Sequence, residues 1–142
     1  MIDILSKVVD TVYNAVITGY PNINVTTGYD PKNATFPCVV VEEIDNVPYR
    51  NTATDDCVEN YSRLTYEVNV YTNSQDSAKT EGREIIKIVD AALADELKFR
   101  RIRFNKPLNV GRTIFRQYIR SEVIVSKPED GSGNTVYRFY RR

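Results

Sequence analysis

The chain has 142 residues, 42% hydrophobic and 27% charged, and its 19 Lys/Arg balance 19 Asp/Glu to zero net charge. Those totals fit one folded domain and exclude disordered, collagen-like and fibrous classes. Histidine is absent and there are two cysteines, which excludes Ser-His-Asp and Cys-His catalysis, leaves a zinc site short of donors unless carboxylates complete it, and makes Cys38 and Cys57 free thiols rather than a disulfide framework.

Leu5, Val8, Val9, Val12, Ala15 and Val16 recur at helical spacing, with Asp3, Lys7, Asp10 and Asn14 between them. The pattern predicts an amphipathic helix stopped near Gly19 and Pro21. The early acids Asp3 and Asp10 do not suit the basic start of a signal peptide, so synthesis and folding in the cytoplasm are expected. Asn24–Thr27 reads as a short strand. Phe36–Glu43 is β-branched and apolar enough for a buried strand, with Pro37 at its beginning. No apolar stretch, Val39-Val40-Val41 with its immediate neighbours included, approaches the roughly 20 residues of a membrane span.

From Ile44 to Asn60 the composition turns to Asp, Asn, Thr, Pro and Arg without periodicity, predicting a long loop over 44–60 of the kind that is either functional or disordered. Tyr61–Tyr71 then alternates, with Leu64, Tyr66, Val68 and Val70 on one face and Arg63, Thr65, Glu67 and Asn69 on the other, as in a half-buried strand. Thr72–Ser77 offers several N-caps. Ile85, Ile86, Val89, Ala92, Leu93 and Leu97 follow at helical spacing, in a helix whose Gly82 implies close packing against a neighbour. Phe99–Phe104 predicts a strand near an edge. Thr113–Val125 predicts a longer one, with Phe115, Ile119, Val123 and Val125 facing one way and Arg116, Tyr118 and Arg120 the other. A turn over 127–134 leads to a last strand, Thr135–Tyr140, apolar on both faces, which is expected to insert centrally or to pack on another chain.

Two helices and about five strands in this order predict an α+β fold: a single domain over residues 1–142, with a largely antiparallel or mixed sheet, both helices on one face, and a C-terminal hairpin over 113–140. The other face is left to solvent or a partner.

Charge is distributed unevenly. Up to Leu97 there are seven Lys/Arg against sixteen Asp/Glu, a balance of −9; from Lys98 onward there are twelve against three, a balance of +9. Such polarity suits a nucleic-acid surface, or an acidic surface of one subunit meeting a basic surface of the next, or strand faces whose signs cancel on folding. The carboxylates Glu42, Glu43, Asp45, Asp55, Asp56 and Glu59 flank the long loop at no EF-hand spacing, and no glycine pattern cradles phosphate. No metal, cofactor or enzymatic activity is therefore expected. Arg100, Arg101, Arg103, Arg116 and Arg120, interleaved with Phe99, Phe104, Phe115 and Tyr118, offer the alternative of a small nucleic-acid-binding module using the basic third, although no RNA-binding signature is present.

Taken together, the N-terminal helix, the Phe36-Pro37-Cys38-Val39-Val40-Val41-Glu42 strand, the polar loop, the alternating strand ending in Thr72-Asn73, the Lys79-to-Leu97 helix and the Arg112-Thr113-Ile114-Phe115-Arg116-Gln117-Tyr118 strand resemble the tail-completion or tail-terminator proteins of long-tailed bacteriophages. The likeness is one of order and texture over most of the chain. It implies a homohexameric ring at the virion's tail neck, assembled in the host cytoplasm, which caps the tail tube protein, ends tube polymerisation and offers a joining surface to the head connector. DNA would pass through the ring without specific binding. On that implication the six acids line the lumen, while Arg100, Arg101, Arg103, Arg116 and Arg120, with Tyr137, Phe139 and Tyr140, are candidates for the subunit interface, the C-terminal strand reaching a neighbouring chain.

Overall fold

A computed structural model describes residues 1–28, 35–48, 61–73, 78–105, 108–110, 114–126 and 137–140. The elements, in order, are α1 (Leu5–Val16), β1 (Asn24–Thr26), β2 (Cys38–Pro48), β3 (Tyr61–Thr72), α2 (Ala78–Leu97), β4 (Arg100–Phe104), β5 (Leu108–Asn109), β6 (Phe115–Ser126) and β7 (Arg138–Tyr140). The class is α+β, with two helices and a mixed sheet curled as a half-barrel.

The sheet runs β1-β2-β3-β6-β4. β1 lies parallel to β2, and every other pairing is antiparallel. The free edge of β6 is too long for one partner and is covered in pieces: β5 at Phe115 and Arg116, β4 from Ile119 to Glu122, and β7 from Ile124 to Ser126. The central pair β3–β6 is in unbroken register from Tyr61↔Ser126 to Thr72↔Phe115.

That register sorts the side chains by period two. Leu64, Tyr66, Val68 and Val70 of β3, Ile119, Val123 and Val125 of β6, and Val39 and Val41 of β2 form one core cluster with Val8, Val12 and Val16 of α1 and Ile85, Ile86, Val89, Leu93 and Leu97 of α2. Both helices thus cover one face. The Asp3 carboxylate accepts the Leu5 N–H at 3.0 Å and so caps α1, whose own N-cap residue, Ile4, offers no side-chain acceptor. Ile2 and Ile4 precede the helix yet are buried, and the Asn46 amide donates to the Ile2 carbonyl at 2.8 Å, which fastens the N-terminal segment to the far end of β2.

Close packing at Gly82 is as expected: a Cβ there would meet the Gln117 amide nitrogen at 3.4 Å and the Thr72 hydroxyl at 3.5 Å. Gln117 is buried on β6 and donates to the Lys79 carbonyl at 2.9 Å, tying the first turn of α2 to the sheet. At the other end Lys98 stands at φ 57 and the Phe99 N–H turns back to the Leu93 carbonyl at 3.0 Å. The left-handed residue ends α2 and starts β4 at once. Gly19, by contrast, adopts no left-handed conformation; α1 stops at Val16, with the Tyr20 N–H bonded to the Val16 carbonyl.

The sequence reading is corrected at four places. The strand expected to end at Glu43 continues to Pro48, because a β-bulge between Glu43 and Asp45 absorbs Ile44 and lets Asp45, Asn46 and Val47 pair with β3. Ile44–Pro48 is therefore strand; residues 49–60 lie outside the described residues. β3 is not half-buried. Thr65, Glu67 and Asn69, on the face away from the helices, are buried as well. The last strand spans Arg138–Tyr140 and does not insert centrally: it pairs with β6 at the edge of its own sheet, and Val136 lies outside the described residues. Finally β5, which has no counterpart in the sequence reading, lines the β6 edge.

Candidate functional site

Face by face, the register explains where the chain's charge has gone. On the face away from the helices two rows cross the whole sheet. One reads Glu42, Glu67, Arg120 and Arg103 on β2, β3, β6 and β4; the next reads Asp45, Thr65, Glu122 and Arg100. Acid stands at the β2 end of both rows and arginine at the β4 end. The asymmetry between the two parts of the sequence has become an asymmetry between two edges of one sheet.

The middle of the first row is a closed network. Arg120 donates to Glu67 Oε2 at 2.7 Å, Arg116 donates to Glu67 Oε1 at 3.1 Å, and Arg116 Nε donates to Asn69 Oδ1 at 2.7 Å. The Asn69 amide donates in turn to Glu67 Oε1 at 3.2 Å, and the Arg116 guanidinium lies 5.0 Å from the Tyr118 ring centroid. Burial alone would raise the Glu67 carboxyl. The hydrogen bonds from Arg120 and Asn69 and the charges of both arginines outweigh it and hold the group below the usual carboxylate range. A buried carboxylate demands such partners, since an unpaired one costs far more than its hydrogen bonds return.

The predicted site residues are therefore split. Arg116 and Arg120 belong to this internal network. Arg101 faces the helix side, where it pairs with Asp90 of α2 at 3.0 Å and lines a cleft of about 190 Å³ together with Arg83, Ile86, Lys87, Asp90 and Phe104. Arg100 and Arg103 remain on the β4 edge facing away from the helices, both exposed. Tyr137 and Phe139 pack on the core, with the Lys7 ammonium 5.1 Å from the Phe139 ring. Tyr140 points the other way, its ring 5.8 Å from that of Tyr61. All three aromatic candidates thus contact their own chain.

Of the six acids, Glu42, Glu43 and Asp45 lie on a strand and not in a loop, and Asp55, Asp56 and Glu59 lie outside the described residues. Glu42 and Asp45 are exposed on the β2 edge, whereas Glu43 turns to the helix side opposite Tyr66. The Tyr66 hydroxyl is buried without a partner among the described residues, and burial, with the nearby charges of Glu43 and Asp3, pushes its pKa up. Cys38 is a free, buried thiol whose pKa burial also raises, which makes it a packing residue; Cys57 lies outside the described residues. Among the described residues no cluster of acids and cysteines could hold a metal ion, and no helix is long and apolar enough to cross a membrane.

Sequence reasoning missed the two residues that organise this face, Glu67 and Asn69. The only signal was a carboxylate on the polar face of a strand rich in core residues, and its partners come from about 50 positions downstream. No protein-family model and no curated protein matches this chain.

Proposed function

We propose that this chain is a structural protein of a long-tailed bacteriophage virion, which assembles with copies of itself into a ring on the tail tube, ends tube polymerisation and presents the surface that the head connector joins. The observation that carries this reading is the polarised sheet, with exposed acids along one edge and exposed arginines along the opposite edge of the same face. Exposed acids on one edge and exposed arginines on the opposite edge make such a surface complementary to a second copy of itself. It is satisfied when the acidic edge of one copy meets the basic edge of the next, a heterologous contact that propagates head to tail and closes where the rotation permits. The order of elements, with a helix before the first long strands and a second helix before the basic strands, supports the same family reading.

In this reading the partners are copies of the chain, the tail tube protein and the connector, the position is the tail neck, and DNA passes through the ring without sequence-specific contact. The internal use of Arg101, Arg116 and Arg120 suits a passage role better than DNA capture, since cations already held by carboxylates release few counterions on meeting phosphate. The test is a polymerisation assay. Added to assembling tail tube protein, the purified chain is expected to cap tubes and shorten their length distribution in electron micrographs. Tubes of unchanged length with no density at their ends would contradict the proposal.

A further inference from the structure

The cleft between α2 and β4 holds more cations than its one acid can match. Asp90 neutralises Arg101, but Arg83 and Lys87, one turn apart on α2 and both exposed, have no carboxylate partner among the described residues. Like charges at that spacing destabilise a helix, and an anion that meets both relieves the repulsion. The rest of the cleft is apolar: Ile86 is buried beside the two cations, and the Phe104 ring, 38% exposed, lies 5.8 Å from the Arg83 guanidinium. At about 190 Å³ it is smaller than the roughly 300 Å³ at which small-molecule pockets begin, and suits a side chain better than a metabolite.

A surface of matching chemistry stands at the other edge of the same sheet. Glu42 and Asp45 are exposed on the face away from the helices, and neither has an ion-pair or hydrogen-bond partner among the described residues. They pair with Glu67 and Thr65, two residues apart on β3, which sets the two acids about 7 Å apart along the strand. Arg83 and Lys87, four residues apart, stand about 6 Å apart along the helix axis. Two exposed apolar side chains accompany the acids, Ile44 in the bulge at 44% and Val47 at 37%. β1 pairs with β2 only from Cys38 to Val40 and so leaves this segment clear.

We infer that residues 42–47 of one copy lap onto the α2–β4 cleft of a second copy, with Glu42 and Asp45 meeting Arg83 and Lys87 and with Ile44 set against Ile86 and Phe104. This deepens the self-assembly reading above and rests on it. The acids and the cleft lie at opposite edges and on opposite faces of the sheet, so each copy overlaps the next as shingles do. Cleft against cleft sets cation against cation and acid patch against acid patch sets like charges together, which disfavours two-fold pairs and leaves the head-to-tail contact attractive.

The experiment uses the full-length wild type and two variants. A carbodiimide joins a carboxylate and an amine in contact as an amide and takes up the water released as its urea. Applied to a mixture of light and isotopically heavy wild-type chains, it is expected to link Lys87 of one copy to Glu42 or Asp45 of another, read by peptide mass spectrometry. The variants are Arg83→Glu with Lys87→Glu, and Glu42→Arg with Asp45→Arg; all four positions are exposed, and circular dichroism melts monitor each fold. Each variant alone brings like charges together and is expected to self-associate at least about 100-fold more weakly than the wild type. An equimolar mixture is expected to associate again, since the patch of each variant meets the cleft of the other with opposite sign. An assembled wild type without the cross-link, or folded variants that assemble as the wild type does, would overturn the contact in favour of an unrelated acidic occupant and leave self-assembly intact. A wild-type chain that stays monomeric would overturn both.

Discussion

Glu67→Gln is expected to lower the stability of the folded chain by about 2–3 kcal/mol at neutral pH. Removing one partner of a buried ion pair commonly costs about 3–5 kcal/mol, but here the two guanidinium groups are 29% and 34% exposed and recover part of their hydration. Glu67 also accepts from Asn69, and Arg120 Nε is already buried without a partner among the described residues, so the loss falls on a network with little slack. Because the folded carboxyl lies below its ordinary value of 4.5, its contribution is complete above that value and fades as pH falls through the lowered folded one. The gap between wild type and variant in urea denaturation is therefore expected to hold from pH 7 to about pH 5 and to narrow in more acid solution. A difference below about 0.5 kcal/mol at neutral pH would show that the network stabilises nothing.

Truncation after Ser126 is the second large effect, expected to cost about 2–4 kcal/mol. It removes the half-buried Phe139 and Tyr137 from the core, the Tyr140 ring from Tyr61, and the strand that covers β6 from Ile124 to Ser126. Val125, fully buried in the intact chain, loses Phe139, its cross-strand neighbour on β7, and keeps Ser62 on β3. With β7 seated on its own β6, the truncated chain is expected to melt earlier yet to keep the assembled mass of the full chain at temperatures where it is folded. A fall in mass with no change in melting temperature would instead place the C-terminal strand on a neighbouring copy, as its apolar composition first suggests.

What the sequence revealed depended on how far an element's period ran without interruption. α1, α2 and β6 carry their periods through twelve, twenty and twelve residues, and the structure has each where periodicity predicts it. The far half of β2 is hidden in the sequence because the bulge at Ile44 shifts the phase of a period-two pattern at the point where Asp45, Asn46 and Pro48 lend the segment a loop-like composition. Ile2 and Ile4 went unnoticed because they precede the helix and are buried by an irregular segment held by Asn46. Lys98, a lysine in a conformation usually left to glycine, gave no local sign that α2 would turn straight into β4.

The candidate site was legible in its chemistry and illegible in its geometry. That acids and arginines occupy different parts of the chain can be counted; which of them survive at the surface depends on partners set by the β3–β6 register. Glu67 draws Arg116 and Arg120 inward and Asp90 draws Arg101 to the helix side, whereas Glu42, Asp45, Arg100 and Arg103 stand exposed towards opposite edges of the sheet. No single segment contains that outcome, because each row is assembled from four strands spread over about 80 positions.

Self-association is measured most directly by the molar mass of the purified chain in solution. Multi-angle light scattering over a range of concentrations is expected to find a discrete multiple of 16.3 kDa that dissociates as salt is raised, since exposed ion pairs are screened at about 8–10 Å in 0.1–0.15 M salt. A mass of one chain at every concentration, in low salt as in high, would contradict it.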